Sequence, residues 1–397
     1  MALAGKSITG AMGLGEVGSQ LRLISKTICV VLSFLLVVGA VPVRAFALEG
    51  EPDTSAVCTA LGAQFEGTNK VANEYDDLNR VYRKTYFAAE GHDPFAAEIS
   101  HLNWQDEQNR TTSLVRGIEY TYSSGMLSMT DLYYNYDHKG NIVAERVWKP
   151  SEDNPLLEKY TYDAKGQLSR CDSSRQNASF TYTYDKAGNI QSVKKYAYTT
   201  GTLGTAQQTQ SYTYSTGSWG DLLTSYDGHA ITYDGAGNII GYDGATFDWC
   251  GRELKEIRKS GHTYHYHYGA DGGRTAKVVD GVRTDFLLDS GRIAAQKMGD
   301  RITWFFYDST GSRIGLFNRG VAYYYVYNLQ GDEIALVKAA TGQVAARYDY
   351  DAWGTCTVRN ALGQTVGDDN PFRFKGYYYD SETGRYLTGS RYYDPEL

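Results

Sequence analysis

The chain has 397 residues, among them 35 tyrosines, 43 glycines and only 7 prolines, and its formal net charge is −7. This aromatic content excludes a disordered chain, and the negative charge argues against a general nucleic-acid-binding surface. Tyrosine favours strands while glycine supplies turns. The composition therefore predicts a β-rich protein with many short strands and tight reversals.

The N-terminus has the order of a secretory signal. Arg22 and Lys26 precede an apolar stretch over residues 28–41, and Ala45-Phe46-Ala47 follows as a small-x-small cleavage site. The stretch is shorter than the roughly 20 residues that a membrane-spanning helix needs. We therefore predict a signal peptide over residues 1–47.

The alternative is an uncleaved anchor, because Val43-Arg44 and the long segment before the apolar stretch are atypical of a signal. Cleavage removes four basic residues and one acidic residue, which leaves a mature chain of net charge −10. We expect a secreted, extracellular protein that is free or associated with the cell wall. Contact with a membrane is expected only through an uncleaved signal segment.

Four cysteines remain after cleavage, and none forms a C-x-x-C pair, so a zinc site is not expected. Four thiols permit two disulfides in an oxidising compartment, but the sequence leaves the pairing open. We expect mostly packed thiols. These cysteines are Cys58, Cys171, Cys250 and Cys356.

Internal repetition is the strongest signal in the sequence. The unit is Y-x-Y-D-x-x-G-x-[ILV], and it recurs at spacings of roughly 20 residues or multiples of that distance. Two variants place Asn79 in the glycine position and Phe247-Asp248 in the Tyr-Asp position. The remaining units are YNYDHKGNI from Tyr134, YTYDAKGQL from Tyr160, YTYDKAGNI from Tyr182, ITYDGAGNI from Ile231, YHYGADGGR from Tyr266 and FFYDSTGSRI from Phe305.

Each unit reads as a β-hairpin. The two tyrosines project from one face of a strand, and the aspartate starts a turn by bonding the backbone two residues further on. The glycine takes a left-handed conformation that closes the turn with a bulge. Because one hairpin is marginal alone, successive hairpins are expected to pair into one long antiparallel sheet. The predicted turns are Asp137–Gly140, Asp163–Gly166, Asp185–Gly188 and Asp234–Gly237.

The chain resembles the YD-repeat, or Rhs, proteins. Beyond the repeat, residues 325–355 and 370–395 look like the family's repeat-associated core. The resemblance implies an all-β, spiralling sheet that forms a hollow shell, with the core plugging one end. It also implies a variable C-terminal toxin domain enclosed inside, and a role in bacterial competition or toxin delivery.

The sequence also departs from that pattern. Its eight or so units would make only a partial wrap, and the chain stops two residues after Tyr392-Tyr393-Asp394-Pro395. In many members the stretch after the core carries acidic residues that cleave the toxin free, and no position here corresponds to them. We expect the last strand to fray or to present an unpaired edge.

This reading divides the chain into four parts. Residues 1–47 are the signal peptide, 48–72 a lead-in segment, 73–320 the YD-repeat array and 321–397 the core. Turn-rich loops are predicted at Lys149–Pro155 and Thr199–Gln210. The longest loop, Arg359–Pro371, separates the two halves of the core.

Two clusters of side chains raise the question of chemistry. Paired carboxylates serve glycoside hydrolysis, but several of those near the C-terminus directly follow a tyrosine in the repeat register, where turn initiation explains them. His265 and His267 share a strand face, as a metal site requires, whereas His262 falls on the other face. We expect an outward polar face there. The carboxylates are Asp349, Asp351, Asp368, Asp369, Asp380, Glu382 and Asp394.

The sequence supports three functions. The first is a shell or scaffold of a polymorphic toxin, with no catalytic or cofactor site and no metal, whose partner is a downstream toxin domain or a strand-supplying polypeptide. The second is a cell-wall carbohydrate-binding module that uses rows of exposed tyrosine. The third is a self-cleaving protease or glycoside hydrolase.

Overall fold

The computed structural model describes residues 71–86, 95–103, 111–122, 125–126, 131–147, 155–217, 220–389 and 391–397. The predicted signal peptide, the lead-in segment up to residue 70, Cys58 and most of the loop Lys149–Pro155 lie outside the described residues. Within the described ranges, no helix has the length and apolar character needed to span a membrane.

The described chain is almost entirely β-strand. In order, β1 to β15 span Val71–Tyr75, Val81–Tyr86, Phe95–Asn103, Thr111–Tyr122, Gly125–Met126, Leu132–Tyr136, Ile142–Val147, Leu156–Tyr162, Leu168–Ser173, Ala178–Tyr184, Ile190–Ala197, Gln208–Tyr214, Leu223–Tyr226, His229–Tyr233 and Ile239–Tyr242. In order, β16 to β27 span Ala245–Cys250, Glu253–Lys259, His262–Tyr268, Arg274–Val279, Val282–Asp289, Arg292–Met298, Arg301–Tyr307, Arg313–Asn318, Val321–Tyr327, Glu333–Lys338, Val344–Tyr350 and Cys356–Asn360.

These 27 strands form one sheet in the described part, and every pairing between them is antiparallel. The predicted all-β array of hairpins is confirmed. The sheet runs without a break across residue 320, because β23 pairs with β24 through Gly315 and Tyr324. The core strands therefore continue the ladder of the repeat array.

A small C-terminal segment, residues 361–397, follows the sheet. It contains the short helix α1 at Val366–Asp369 and a 3-10 turn at Phe374–Gly376. Its strands β28 at Tyr378–Asp380, β29 at Arg385–Leu387 and β30 at Tyr392–Tyr393 form a separate antiparallel sheet. The predicted long loop Arg359–Pro371 thus holds the end of β27 and a helical turn.

All four predicted turns are confirmed. In each, the glycine N–H donates to the aspartate carbonyl at 3.0–3.3 Å, and the glycine φ lies between 83° and 98°. The side-chain geometry is clearest at Asp137, whose Oδ1 accepts the N–H of Lys139 at 2.8 Å. Asn79 takes the glycine position with a φ of 60°, as the variant unit predicts.

The residue after each turn glycine has a role that the sequence pattern did not reveal. Asn141 donates its backbone N–H to Asp137 Oδ1 at 2.9 Å and its side-chain amide to Oδ2 at 2.9 Å. Asn189 and Asn238 repeat both bonds. One carboxylate therefore caps the whole turn, which explains why the sequence Asp-x-x-Gly-Asn recurs.

A second kind of turn joins successive hairpins and was not predicted. Each consists of two residues with positive φ, a Gly preceded by Asp, Ser or Arg, which is the type I′ geometry suited to twisted strands. Examples are Asp227-Gly228, Asp243-Gly244, Ser260-Gly261, Asp280-Gly281, Ser290-Gly291 and Arg319-Gly320.

The register predicted for the variant unit at Phe247 is wrong by two residues. The strand bulge that elsewhere precedes the second tyrosine falls here between Asp248 and Trp249. Trp249 therefore holds the second aromatic position, and Asp248 lies in the strand between the two rings. The turn follows at Gly251, whose φ is 63°.

From the unit at Tyr134 onward, the hydroxyl or indole N–H of the second aromatic ring bonds the preceding strand. Tyr162 donates its hydroxyl to the carbonyl of Ile142 at 2.7 Å, at the start of the adjacent β7. The indole N–H of Trp249 makes the same bond to the Ile239 carbonyl at 2.7 Å. Equivalent hydroxyl bonds come from Tyr136, Tyr184, Tyr233, Tyr268, Tyr307, Tyr327 and Tyr350.

The sheet curls so that its two ends stack. Side chains of β2–β4 and β6 form one buried cluster with those of β22–β25. Within it, the rings of Phe95 and Tyr324 stack 4.8 Å apart. The opposite face of β22–β26 packs against the C-terminal segment through Phe305, Tyr325 and Phe372. Because both faces are covered, the run Val321–Tyr327 carries apolar residues at consecutive positions.

Candidate functional site: the C-terminal closure

The C-terminal segment is held on the sheet by two buried polar networks. The first joins β19 to β28. Arg274 donates to both carboxylate oxygens of Asp380, at 2.6 and 2.9 Å, and the side chains are 1% and 0% exposed. Lys277 bonds Asp380 at 3.0 Å and Glu382 at 2.8 and 2.9 Å. Two cations thus face two carboxylates away from water.

The pKa values of the two carboxylates in this network shift in opposite directions. Burial alone would raise the pKa of Asp380, but the Arg274 guanidinium and the Lys277 ammonium outweigh it and hold that pKa below its usual value. Burial and the adjacent Asp380 charge instead raise the pKa of Glu382. Asp380 is therefore the fixed anion on which the closure depends.

The second network centres on Asn370, which is fully buried in the loop after α1. Its amide nitrogen donates to the Phe372 carbonyl at 2.7 Å and to Glu333 Oε2 at 3.1 Å, while its oxygen accepts the Tyr325 hydroxyl at 2.9 Å. Glu333 also receives Arg313 at 2.7 Å. Burial raises the pKa of Glu333 to about 7.

Each carboxylate singled out in the sequence has a structural contact. Asp351 caps a turn, as the repeat register predicts, by accepting the N–H groups of Trp353 and Thr355 at 2.9 Å. Asp394 also starts a turn, because its Oδ1 accepts the N–H of Glu396 at 3.0 Å. For Asp380 the turn-forming role predicted for the carboxylate is wrong, because Arg274 and Lys277 bond its oxygens. The remaining contacts are with side chains: Asp349 with Arg359 at 3.0 Å, Asp368 with Asn360 at 2.6 Å, Asp369 with Arg301 at 2.6 Å and Asp394 with Arg385 at 2.9 Å. Asp380 and Glu382 share the Lys277 ammonium.

The histidines of β18 face outward, as expected. Tyr264 and Tyr266 are buried, whereas His267 is exposed and His265 lies between, 3.0 Å from Glu256. His262 pairs with the exposed Asp280 at 2.6 Å. In the ranges that the structure describes, no group of three or more His, Cys, Asp or Glu side chains is arranged to hold a metal ion.

Cysteines in the described ranges are free thiols. Cys171 is buried and Cys356 is half-buried, which agrees with the prediction of packed thiols. Cys250 is exposed, because it lies at the turn after Trp249. Cys171 Sγ lies 3.5 Å from Glu158 Oε2, and burial raises the pKa of that thiol.

Most tyrosine side chains are turned away from solvent. Among the described residues, only Tyr75 and Tyr82 are exposed, at 53% and 41%. The rows of exposed tyrosine on which the carbohydrate-binding hypothesis depends are therefore not found in this part of the chain. The rings lie in the core or against the neighbouring strand.

A cavity of about 410 Å³ lies beside the closure, between the wall strands β15–β18 and the C-terminal segment. Its lining is polar and of mixed charge. Lys259 is paired with Asp243 at 2.8 Å and Arg385 with Asp394 at 2.9 Å, so both cations are neutralised. The cavity contains no unpaired cation among these residues that would attract an acidic ligand.

The last strand does not fray. β30 pairs with β29 through Tyr386 and Tyr393, and the Tyr393 hydroxyl donates to the Trp353 carbonyl at 2.6 Å. The Tyr392 and Tyr268 hydroxyls lie 2.8 Å apart. The other edge of β30 has no strand partner in the described part, so the unpaired-edge form of the prediction holds.

The fold of this chain is similar to that of solved protein structures. No family model matches the chain. Among solved structures, the Photorhabdus luminescens Tc holotoxin pore superposes with a TM-score of 0.58 and 20% identity, over 82% of this chain and 17% of that chain. The TcdB2-TccC3-Cdc42 structure gives a TM-score of 0.60 over 82% of this chain and 18% of that chain, again at 20% identity.

The fold is that of an Rhs-type shell. The superposition includes 82% of this chain, most of which is the long antiparallel sheet. The identity is low, so the likeness concerns the fold. The narrower assignment to the YD-repeat proteins stays a prediction.

The curated relatives of this chain include a tRNA nuclease and a DNA deaminase toxin. The tRNA nuclease WapA of Bacillus subtilis strain 168 is 33% identical over 181 residues, covering 44% of this chain and 8% of the relative. The double-stranded DNA deaminase toxin A of Burkholderia cenocepacia strain H111 is 23% identical over 370 residues, covering 82% of this chain and 23% of the relative. The matched part thus spans less than a quarter of either relative.

Proposed function

We propose that this chain is the shell or scaffold part of a secreted or cell-surface polymorphic toxin, with no catalysis of its own. Its partner is a linked toxin domain or another polypeptide that supplies strands. Support comes from the Rhs-type fold and from the relatives, a tRNA nuclease and a DNA deaminase toxin. The matched part is a small share of each of these proteins.

One observation carries the proposal. Four buried charged side chains fix the C-terminal segment to the wall strands, because Arg274 and Lys277 pair with Asp380 and Glu382. A buried ion network carries a large desolvation cost and is weak evidence for stability, so we infer that it is kept because it specifies one arrangement of the segment. Such an arrangement suits a scaffold that must determine where a polypeptide following Leu397 begins.

The test adds a flexible, tagged peptide with a protease site after Leu397 and measures its cleavage rate. The proposal predicts cleavage at least tenfold slower than for the same peptide free in solution. Asp380→Asn should restore fast cleavage, whereas Asp285→Asn, which removes a half-exposed pair with Arg283, should not. Equal cleavage of the attached and the free peptide would contradict the scaffold role.

Three companion measurements address the alternatives and the predicted export. Binding of purified cell-wall polysaccharide would favour the carbohydrate-binding function, and appearance of fragments on incubation of the pure protein would favour a self-cleaving protease. N-terminal sequencing of protein from the culture medium should find Leu48 first. An intact Met1 in membrane fractions would instead favour an anchor.

A further inference from the structure

The first and last strands of the long sheet differ in what contacts them. At the last strand, β27, the side chain of Asn360 accepts the Gly367 N–H at 2.8 Å and donates to Asp368 at 2.6 Å. Helix α1 is thereby held against that strand. At the other end, β1 pairs with β2 and has no second strand partner in the described ranges. A bare strand edge is a template for another strand.

The bare end is also unusually apolar on its surface. Tyr75 is 53% exposed, Leu78 in the following turn 61% and Tyr82 41%. They are three of the seven large apolar side chains that are exposed in the described part. The Tyr82 hydroxyl donates to Glu74 Oε2 at 2.7 Å, which fixes the carboxylate on the same hairpin.

The sequence of β1, Val-Ala-Asn-Glu-Tyr, is complementary to itself in one orientation. If two copies of β1 pair antiparallel about Asn73, Val71 lies opposite Tyr75 of the second copy, and Ala72 lies opposite Glu74. An aromatic ring opposite a β-branched side chain is a favourable cross-strand pair. No like charges face each other, whereas parallel pairing in register would bring the two Glu74 carboxylates together.

We propose that the β1 edge binds a second copy of this chain by antiparallel pairing of the two β1 strands. The contact is two-fold symmetric, so it closes after two copies and does not propagate into a fibre. Backbone hydrogen bonds supply the attraction, and the Val71–Tyr75 pairs and the Ala72–Glu74 pairs set the register. The two sheets then continue across the junction.

The test compares two substitutions at one exposed position. Ala72→Lys places an ammonium opposite Glu74 of the second copy, whereas Ala72→Glu places a carboxylate there. Sedimentation velocity on the purified full chain should show a dimer for the wild type. The glutamate variant should dissociate at least tenfold more readily, and the lysine variant should associate at least as tightly as the wild type.

A covalent readout checks the register. Asn73→Cys should form a disulfide-linked dimer under mild oxidation, because residue 73 lies opposite itself, whereas Ala72→Cys should not. A monomeric wild type at tens of micromolar, as when the chain's own preceding residues cover the edge, overturns the proposal. Equal association of Ala72→Lys and Ala72→Glu overturns it as well.

Discussion

One hydroxyl group makes two of the hydrogen bonds that join the stacked ends of the sheet. The hydroxyl of Tyr120, on β4, donates to the carbonyl of Tyr327 at 3.0 Å and accepts the N–H of the same residue at 2.9 Å. The two residues are 207 positions apart. Tyr120 thus satisfies both backbone groups of Tyr327, as a neighbouring strand would, across the contact between the first and last strands.

Tyr120→Phe tests this role. The ring still fills its place among the buried side chains, but two backbone groups lose their partner. Each buried group left unsatisfied costs about 1–3 kcal/mol. Since part of this cost is offset by local relaxation, we expect a loss of about 2–3 kcal/mol in the free energy of unfolding, measured by chemical denaturation.

A matched control exists in the same sheet. The Tyr266 hydroxyl is buried and has no hydrogen-bond partner in the described part. Tyr266→Phe therefore removes an unsatisfied group, and it should leave the unfolding free energy unchanged or raise it. If Tyr120→Phe were as stable as Tyr266→Phe, the hydroxyl would not hold the two ends together, and the reasoning would be refuted.

Three further predictions concern turns, charges and pH. Gly166→Val should lower the free energy of unfolding by more than about 1 kcal/mol, as measured in thermal melts. Gly166 has a φ of 83° and no atom within 4 Å of an added Cβ, so this cost is conformational. Gly204→Val, in open space without positive φ, should change the stability little. Arg274→Met should lower the free energy of unfolding by about 3–5 kcal/mol, because Asp380 stays buried but loses the two guanidinium bonds and keeps only Lys277. Arg283→Met, at a half-exposed pair, should cost about 0–1 kcal/mol. Burial raises the pKa of Glu158 to about 8. Between pH 4.5 and about 8 the folded state therefore binds one proton more at this residue than the unfolded state. The free energy of unfolding should fall as pH rises through this window. Glu158→Gln should flatten that fall in unfolding curves from pH 5 to 8, and an unchanged slope would show that Glu158 is ionised when folded.

The hairpins were predictable because their determinants are local. Asp163 and Gly166 lie three residues apart, and the turn they make depends on little beyond that stretch. The register at Trp249 could not be read in the same way, because the pattern treats an aspartate after an aromatic residue as a turn former. The bond of the indole N–H to the Ile239 carbonyl comes from the neighbouring strand and decides otherwise.

The closure itself lay beyond the sequence pattern. Arg274 and Asp380 are 106 positions apart, and Arg274 does not stand out among the charged residues of the chain. Asp380 was noted as a carboxylate in the repeat register, but its cation partners depend on how the sheet curls. What the pattern did offer is the run Val321–Tyr327, whose consecutive apolar residues fit a strand that is covered on both faces.

The central claim is that the curled sheet holds the C-terminal segment in a fixed place. Hydrogen–deuterium exchange of the intact protein tests it most directly, at the amides of Arg385–Leu387 in β29. We predict that these amides exchange as slowly as those of Val321–Tyr327 and become fast in Arg274→Met. Complete exchange of Arg385–Leu387 at the earliest time point in the wild-type protein, with Val321–Tyr327 still protected, would contradict the closure.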